Sequence, residues 1–287
     1  MARDQAAREL LAFYREAGVD ALLDEMPLDR FAANGTTAAP ASRTDSALPT
    51  PEARAGATGR ALPAREREVV SRPAPAFPPE AAVMAAREAA KSAATLEQLR
   101  AMLERFEGCA LRTTATQLVF ADGNPQARVM FVGEAPGRDE DIAGLPFVGR
   151  SGKLLDLMIA AIGLDRMMAG IGLDRRSAYI ANVVPWRPPG NRTPTPQESA
   201  VCLPFTLRQI ELADPDILVC LGSPSTQTLL NSKDGILKTR GRWLPFHTGT
   251  REIRAIATLH PAYLLRQPLQ KRFAWRDFLA IKKALAT

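Results

Sequence analysis

Four short apolar runs mark the second half of the chain: Val129–Val132, Tyr179–Val184, Ile217–Leu221 and Ile253–Thr258. Each is too short for a buried helix and nearly free of polar residues, which suits a strand covered on both faces. Between and after them apolar residues recur at helical spacing over Lys153–Ile162, Gln197–Glu211, Ser225–Leu230 and Phe273–Leu285. Strands alternating with helices predict a doubly wound α/β sheet, mostly parallel. Upstream, Leu96, Leu99, Leu103 and Phe106 continue a helical pattern that starts near Pro79, with Gly108 as its stop. Residues 4–26 carry Leu10, Leu11, Tyr14, Leu22 and Leu23, the pattern of a short amphipathic helix interrupted near Gly18. Its apolar face calls for the main domain or a partner to pack against.

From Ala32 to Ala76 there is no Phe, Trp or Tyr, and Ala, Pro, Thr and Arg dominate. Such a stretch cannot bury enough apolar surface to offset the entropy of ordering it. The expected organisation is therefore an N-terminal amphipathic helix (1–31), a flexible Ala/Pro/Arg-rich linker (32–78) and one α/β domain (79–287). Composition narrows the class further. The 287 residues are 46% hydrophobic with a formal net charge of +6, enough for a sizeable core and a bias towards polyanionic partners. Three cysteines in a chain this long do not make a disulfide framework, and no run of eighteen apolar residues suggests a membrane span. With no secretory pattern at the N-terminus, a cytoplasmic protein is expected, without membrane partners and monomeric.

In doubly wound sheets ligands bind beyond the carboxyl ends of the strands. The residues following the four runs are chemically distinctive. Gly133-Glu134-Ala135-Pro136-Gly137 follows the first, Asn182 lies near the end of the second, Gly222-Ser223 follows the third and His260-Pro261 the fourth. A carboxylate, an amide and an imidazole thus converge on one sheet edge. An amide can donate and accept at once, as a pyrimidine edge requires. An imidazole can donate to a carbonyl where negative charge develops. A carboxylate can position water or stabilise a cationic sugar, as glycosidic cleavage demands. Taken singly, the glutamate could be a cap, the asparagine a local hydrogen-bonding device and the histidine part of a turn; their joint occurrence at successive strand ends is what favours a site.

From about Cys109 to Leu285 the chain resembles the family-four uracil-DNA glycosylases. The segments that carry the likeness are GEAPGRDED (133–141), LPFVGRSGKLLD (145–156), NVVPWRPPGNRTP (182–194), DILVCLGSPS (216–225) and HPAYLLR (260–266). The resemblance implies a three-layer αβα sandwich with a central four-stranded parallel sheet, and hydrolysis of the uracil–deoxyribose bond in DNA to leave an abasic site. It implies that Glu134 positions water, that Gly133 and Ala135 line the uracil edge, that Phe147 stacks on the flipped base, that Asn182 reads it and that His260 stabilises charge on its O2. Tyr263, Leu264 and Leu265 would wedge into the duplex. Arg187, Arg192, Arg266 and backbone groups around Ser223 would meet phosphates.

Members of that family typically hold a four-cysteine iron–sulfur cluster. Cys109 and Cys202 match two of its ligands, but Arg112 and Trp186 stand at the other two, so a cysteine-ligated cluster is not expected. Nor does the chain have the GEQPG motif or the extra histidine of a DNA-crosslinking relative; it reads Ala135 in place of that glutamine, which implies turnover rather than a trapped adduct. The expected partner is uracil-containing DNA, single- or double-stranded, with a repair or replication protein docking on the N-terminal helix. A same-fold glycosylase acting on other deaminated bases and a non-catalytic DNA-binding module are the alternatives.

Overall fold

The computed structural model describes residues 79–162 and 177–286. The expected N-terminal helix and linker lie outside the described residues. Of the two units Met1–Glu68 and Val69–Thr287, the second holds every element described.

Two helices open it. α1 (Pro79–Ser92) starts on a proline, whose missing N–H costs nothing in a first turn, with Glu80 and Lys91 complementing the helix dipole at its two ends. α2 (Leu96–Arg105) follows after a break. The sequence pattern predicted one continuous helix here. Thr95 divides it: its hydroxyl accepts from the Gln98 N–H at 3.2 Å, and the Gln98 side chain accepts from the Ala94 N–H at 2.8 Å. That reciprocal cap starts a new helix in a new direction.

Among the described residues the sheet follows in six strands: β1 (Asp122–Gly123), β2 (Val129–Gly133), β3 (Tyr179–Asn182), β4 (Ile217–Leu221), β5 (Trp243–His247) and β6 (Glu252–Thr258), in the spatial order β1-β3-β2-β4-β6-β5. The four expected strands β3, β2, β4 and β6 pair in parallel and form the centre. Two antiparallel edge strands, β1 and β5, extend it beyond the four that the resemblance implied. Both edges lack the apolar run that betrays a buried strand: β1 is two residues long, and β5 carries Pro245 and ends on the exposed His247.

Alternation along the central strands divides the core in two. Met130, Val132, Leu218 and Cys220 face one layer, made by α1, α2 and α5 (Pro196–Ala213). Val129, Phe131, Ile217 and Val219 face the other, which includes α4 (Arg150–Ala161) and α9 (Lys271–Leu285). There Phe131 and Phe278 stack at 5.8 Å between ring centroids. Burial on both faces is why these strands read as unbroken apolar runs. The remaining helices are short and sit at strand ends: α3 (Arg138–Ala143) after β2, α6 (Ser223–Leu230) after β4, α7 (Ile236–Thr239) before β5 and α8 (Pro261–Arg266) after β6. No helix among the described residues is long and apolar enough to cross a membrane.

Candidate active site

Parallel pairing fixes the site's framework. Gly133, at the end of β2, is in register with Asn182 at the end of β3, and the Val183 N–H donates to the Gly133 carbonyl at 3.0 Å. Val184 continues the ladder to the Glu134 carbonyl at 3.0 Å. Leu221 and Thr258 end β4 and β6 side by side, so Gly222 and His260 leave the sheet together.

Gly133 is a close-approach position. A Cβ there would lie 2.5 Å from Asn182 Oδ1 and 2.7 Å from Phe147 Cζ. The absence of a side chain at Gly133 is therefore what lets the amide and the ring meet over the strand end. Asn182 is buried. Phe147 is buried too, and its ring lies against His260 at 5.5 Å between centroids with a 29° interplanar angle. A Cβ on Gly222 would sit 3.0 Å from His260 Cβ. Gly222 has φ +92°, the left-handed region that glycine alone tolerates well. Asn182, Phe147 and His260, 113 residues apart at their extremes, thus gather at one edge, with the Glu134 turn beside them.

Their electrostatics are distinct. Burial depresses the His260 pKa to about 4, with the Arg266 charge adding to it. The ring is neutral at physiological pH. Its Nδ1 accepts from the Ala262 N–H at 3.1 Å, capping α8, so the single ring proton resides on Nε2. Burial pushes the Glu134 carboxyl above the usual carboxylate range, while a hydrogen bond with the Thr193 side chain opposes that rise. Its Oε1 is a buried acceptor with no hydrogen-bond partner among the described residues. Such an atom costs about 1–3 kcal/mol in a resting fold, so its retention points to a polar group taken up in use.

Phe147 adopts φ +55°, an uncommon backbone for an aromatic residue. Two residues hold it there. A Cβ on Gly152, in the first turn of α4, would overlap the Phe147 carbonyl oxygen. The contact is with backbone and cannot be relieved by a side-chain rotation. Alanine ordinarily gains about 1 kcal/mol over glycine inside a helix. Gly152→Ala is instead expected to destabilise the fold by roughly 1–3 kcal/mol through overpacking, measured by urea unfolding. The second is Glu140 of α3, which is 8% exposed. Its carboxylate accepts from the Gly137 N–H at 3.1 Å and the Gly149 N–H at 3.0 Å. One side chain thus ties the Glu134 turn to the segment carrying Phe147. Glu140→Ala strands both donors and is expected to cost about 2 kcal/mol in the same measurement.

Behind His260 a further network fixes the end of β6. Thr258 Oγ1 donates to Asp277 Oδ2 at 2.7 Å, and the Arg240 guanidinium closes on the same carboxylate. Asp277 is buried, which raises its pKa, and the threonine and arginine partners hold it down.

Residues 120–279, more than half of the chain, match the sequence profile of the Uracil DNA glycosylase superfamily. The chain belongs to that superfamily. Among its relatives are the type-4 uracil-DNA glycosylases of Archaeoglobus fulgidus and Thermotoga maritima. Each is 40% identical, over 177 and 172 residues, which is 60% of this chain and 84% and 83% of theirs. The type-4 uracil-DNA glycosylase of Sulfurisphaera tokodaii is 37% identical over 198 residues, 67% of this chain and 86% of the relative.

Around the centre of this superfamily member, the other sequence-predicted residues divide. Ala135 is half-buried on the turn after Glu134, and Ser223 opens α6 at the strand edge. Tyr263 is half-buried, while Leu265 and Arg266 are exposed on α8. Leu264 departs from the expectation of a wedge. It is fully buried against Leu259 and Ala274, because successive helical residues point about 100° apart and only Leu265 turns outwards. Arg192 is also committed elsewhere: it grips Glu198 through both terminal nitrogens, at 2.8 and 2.7 Å. Arg187 donates to Asn191 Oδ1 at 2.7 Å and approaches Asp141 at 3.8 Å. The sequence reading missed Thr193, Glu140 and Gly152 as site-shaping residues.

The place expected for an iron–sulfur cluster holds two thiols. Cys109 and Cys202 are in contact, with sulfurs 3.8 Å apart. Trp186 is buried in the same core, and Arg112 directs its Nε to the Glu104 carbonyl at 3.2 Å. No group of three or more His, Cys, Asp or Glu among the described residues is placed to hold a metal ion. These residues do not fit a four-thiolate cluster, which needs two further soft ligands.

Proposed function

We propose that this chain is a uracil-DNA glycosylase that hydrolyses the N-glycosidic bond of a uracil extruded from DNA and leaves an abasic site. The observation that carries this is the approach of Asn182 and Phe147 over Gly133, with His260 against the Phe147 ring and the half-buried Glu134 on the turn beside them. A flat ring stacked on Phe147 meets the Asn182 amide at its edge, where one acceptor and one donor match uracil's N3–H and O4. The neutral His260 donates from Nε2 to O2, where charge accumulates as the bond breaks. Glu134 acts as carboxylate, orienting water with its free Oε1 and stabilising the oxocarbenium-like sugar. Extruding the base costs a few kcal/mol of stacking and pairing. Leu265, which turns outwards on α8, replaces that base in the stack, and Arg266, Arg187 and the backbone at Ser223 engage phosphates. The three thiols, free in this structure, support a reducing cytoplasmic setting, and the enzyme acts as a monomer on one or two strands.

The test offers enzyme in excess to duplexes with uracil, thymine, cytosine, hypoxanthine or xanthine opposite a normal base, followed by alkaline cleavage. Strand breaks at uracil alone are expected. Breaks at hypoxanthine or xanthine too would establish a broader glycosylase, and none at uracil would reject the function.

The acid limb of the pH–rate profile follows from the same groups. Glu134 must be ionised, so activity is present above its raised pKa and is lost as pH falls through it, before His260 protonates near 4. Glu134→Gln is expected to remove that limb from single-turnover rates measured between pH 4 and 8. A limb that persists unchanged in the variant belongs to another group.

A further inference from the structure

Cys109 and Cys202 lie 93 positions apart in sequence, yet their sulfurs are 3.8 Å from one another. Cys109 leads into the 3-10 turn Ala110–Thr113 that follows α2, and Cys202 belongs to α5. Both are buried in one apolar cluster with Leu103, Leu111 and Trp186. The Cys202 thiol donates to the Cys109 sulfur. Two thiols in direct contact are placed to react with one another once either is oxidised.

We propose that Cys109 and Cys202 form a cross-linking pair that a peroxide converts to an intramolecular disulfide. The sulfurs need only close from van der Waals contact to the ~2.05 Å of an S–S bond. The Cys109 thiolate attacks a peroxide oxygen; the O–O bond breaks, leaving a sulfenic acid on Cys109. Cys202 then attacks that sulfur, its S–H proton goes to the departing oxygen and water leaves. In total two thiols and one hydrogen peroxide give one disulfide and two waters, the sulfurs being oxidised and the peroxide oxygens reduced. Only a small oxidant suits two buried thiols. With Arg112 and Trp186 at the neighbouring positions, the site holds two sulfurs, enough for one covalent tie. That tie joins α5, which covers one sheet face, to the segment after α2. In a reducing cytoplasm such a bond is transient, set by the redox state. The third thiol, Cys220, lies inside β4, where burial raises its pKa and keeps it unreactive.

The test uses the full chain, freed of reductant and exposed to hydrogen peroxide, then denatured and alkylated. Alkylatable thiols should fall from three to one, with a Cys109–Cys202 peptide in the non-reducing map and Cys220 modified. The thermal midpoint should rise by roughly 5–10 °C, the effect expected of closing so long a loop in a domain of this size. Reductant should reverse the rise, and Cys202→Ser should not show it. The mapping needs no variant, so a poorly folding substitution does not impair the test. Three alkylatable thiols after treatment, a cross-link involving Cys220 or a second chain, or stoichiometric iron in the purified protein would each overturn the proposal.

Discussion

His260→Ala is expected to lower single-turnover uracil excision by at least ~100-fold, while leaving the protein folded. The figure is the usual cost of losing one donor to a developing oxyanion, about 3 kcal/mol. Two features of the site make the donor effective. Burial keeps the imidazole neutral at physiological pH, and the Ala262 N–H occupies Nδ1, so the proton on Nε2 is committed to the pocket. His260 also caps α8, and its loss there costs ~1 kcal/mol of stability. A His260→Asn variant, able to cap and donate but differently placed, separates the two roles: it should restore the melting temperature without restoring the rate. A rate in His260→Ala within a few-fold of the parent would show that charge on O2 is stabilised elsewhere.

Gly133→Ala should give a stable protein with little activity. The added methyl meets the far ends of two side chains, Asn182 Oδ1 and Phe147 Cζ, which can swing aside at modest cost. These are the two groups proposed to grip the base. Misplacing them by about 1 Å is expected to lower excision on the order of 100-fold, with a change of only a few degrees in melting temperature. The contrast with Gly152→Ala is physical. There the obstacle is the Phe147 backbone carbonyl, so the loss falls on stability. An active Gly133→Ala enzyme would mean that Asn182 and Phe147 do not contact the substrate together.

Much of the centre was legible in the sequence because buried parallel strands announce themselves. Runs such as Ile217–Leu221 end where polarity returns, and the first polar residues after them are those at the site. The edge strands were not legible. A two-residue β1 has no periodicity, and Pro245 interrupts β5. The break at Thr95 was hidden inside a continuous helical pattern, although Thr95 and Gln98 form a readable cap. Leu264 and Leu265 could be told apart only once the phase of α8 was fixed. Arg192 is taken up by Glu198, whose carboxylate also accepts from the Thr195 N–H in a capping box, a pairing that only the folded turn reveals. Glu140 stood in the quoted GEAPGRDED segment, but its tie to the Gly149 N–H could not be read there, because a backbone donor from a later loop leaves no mark in the sequence.

The most direct test of the account is a crystal structure of the protein with free uracil. The account predicts one uracil stacked on Phe147, its N3–O4 edge on the Asn182 amide, its O2 at His260 Nε2, and Glu134 on the side where the sugar would lie. Uracil bound away from Gly133, or a saturated crystal with no uracil among these four side chains, would contradict it.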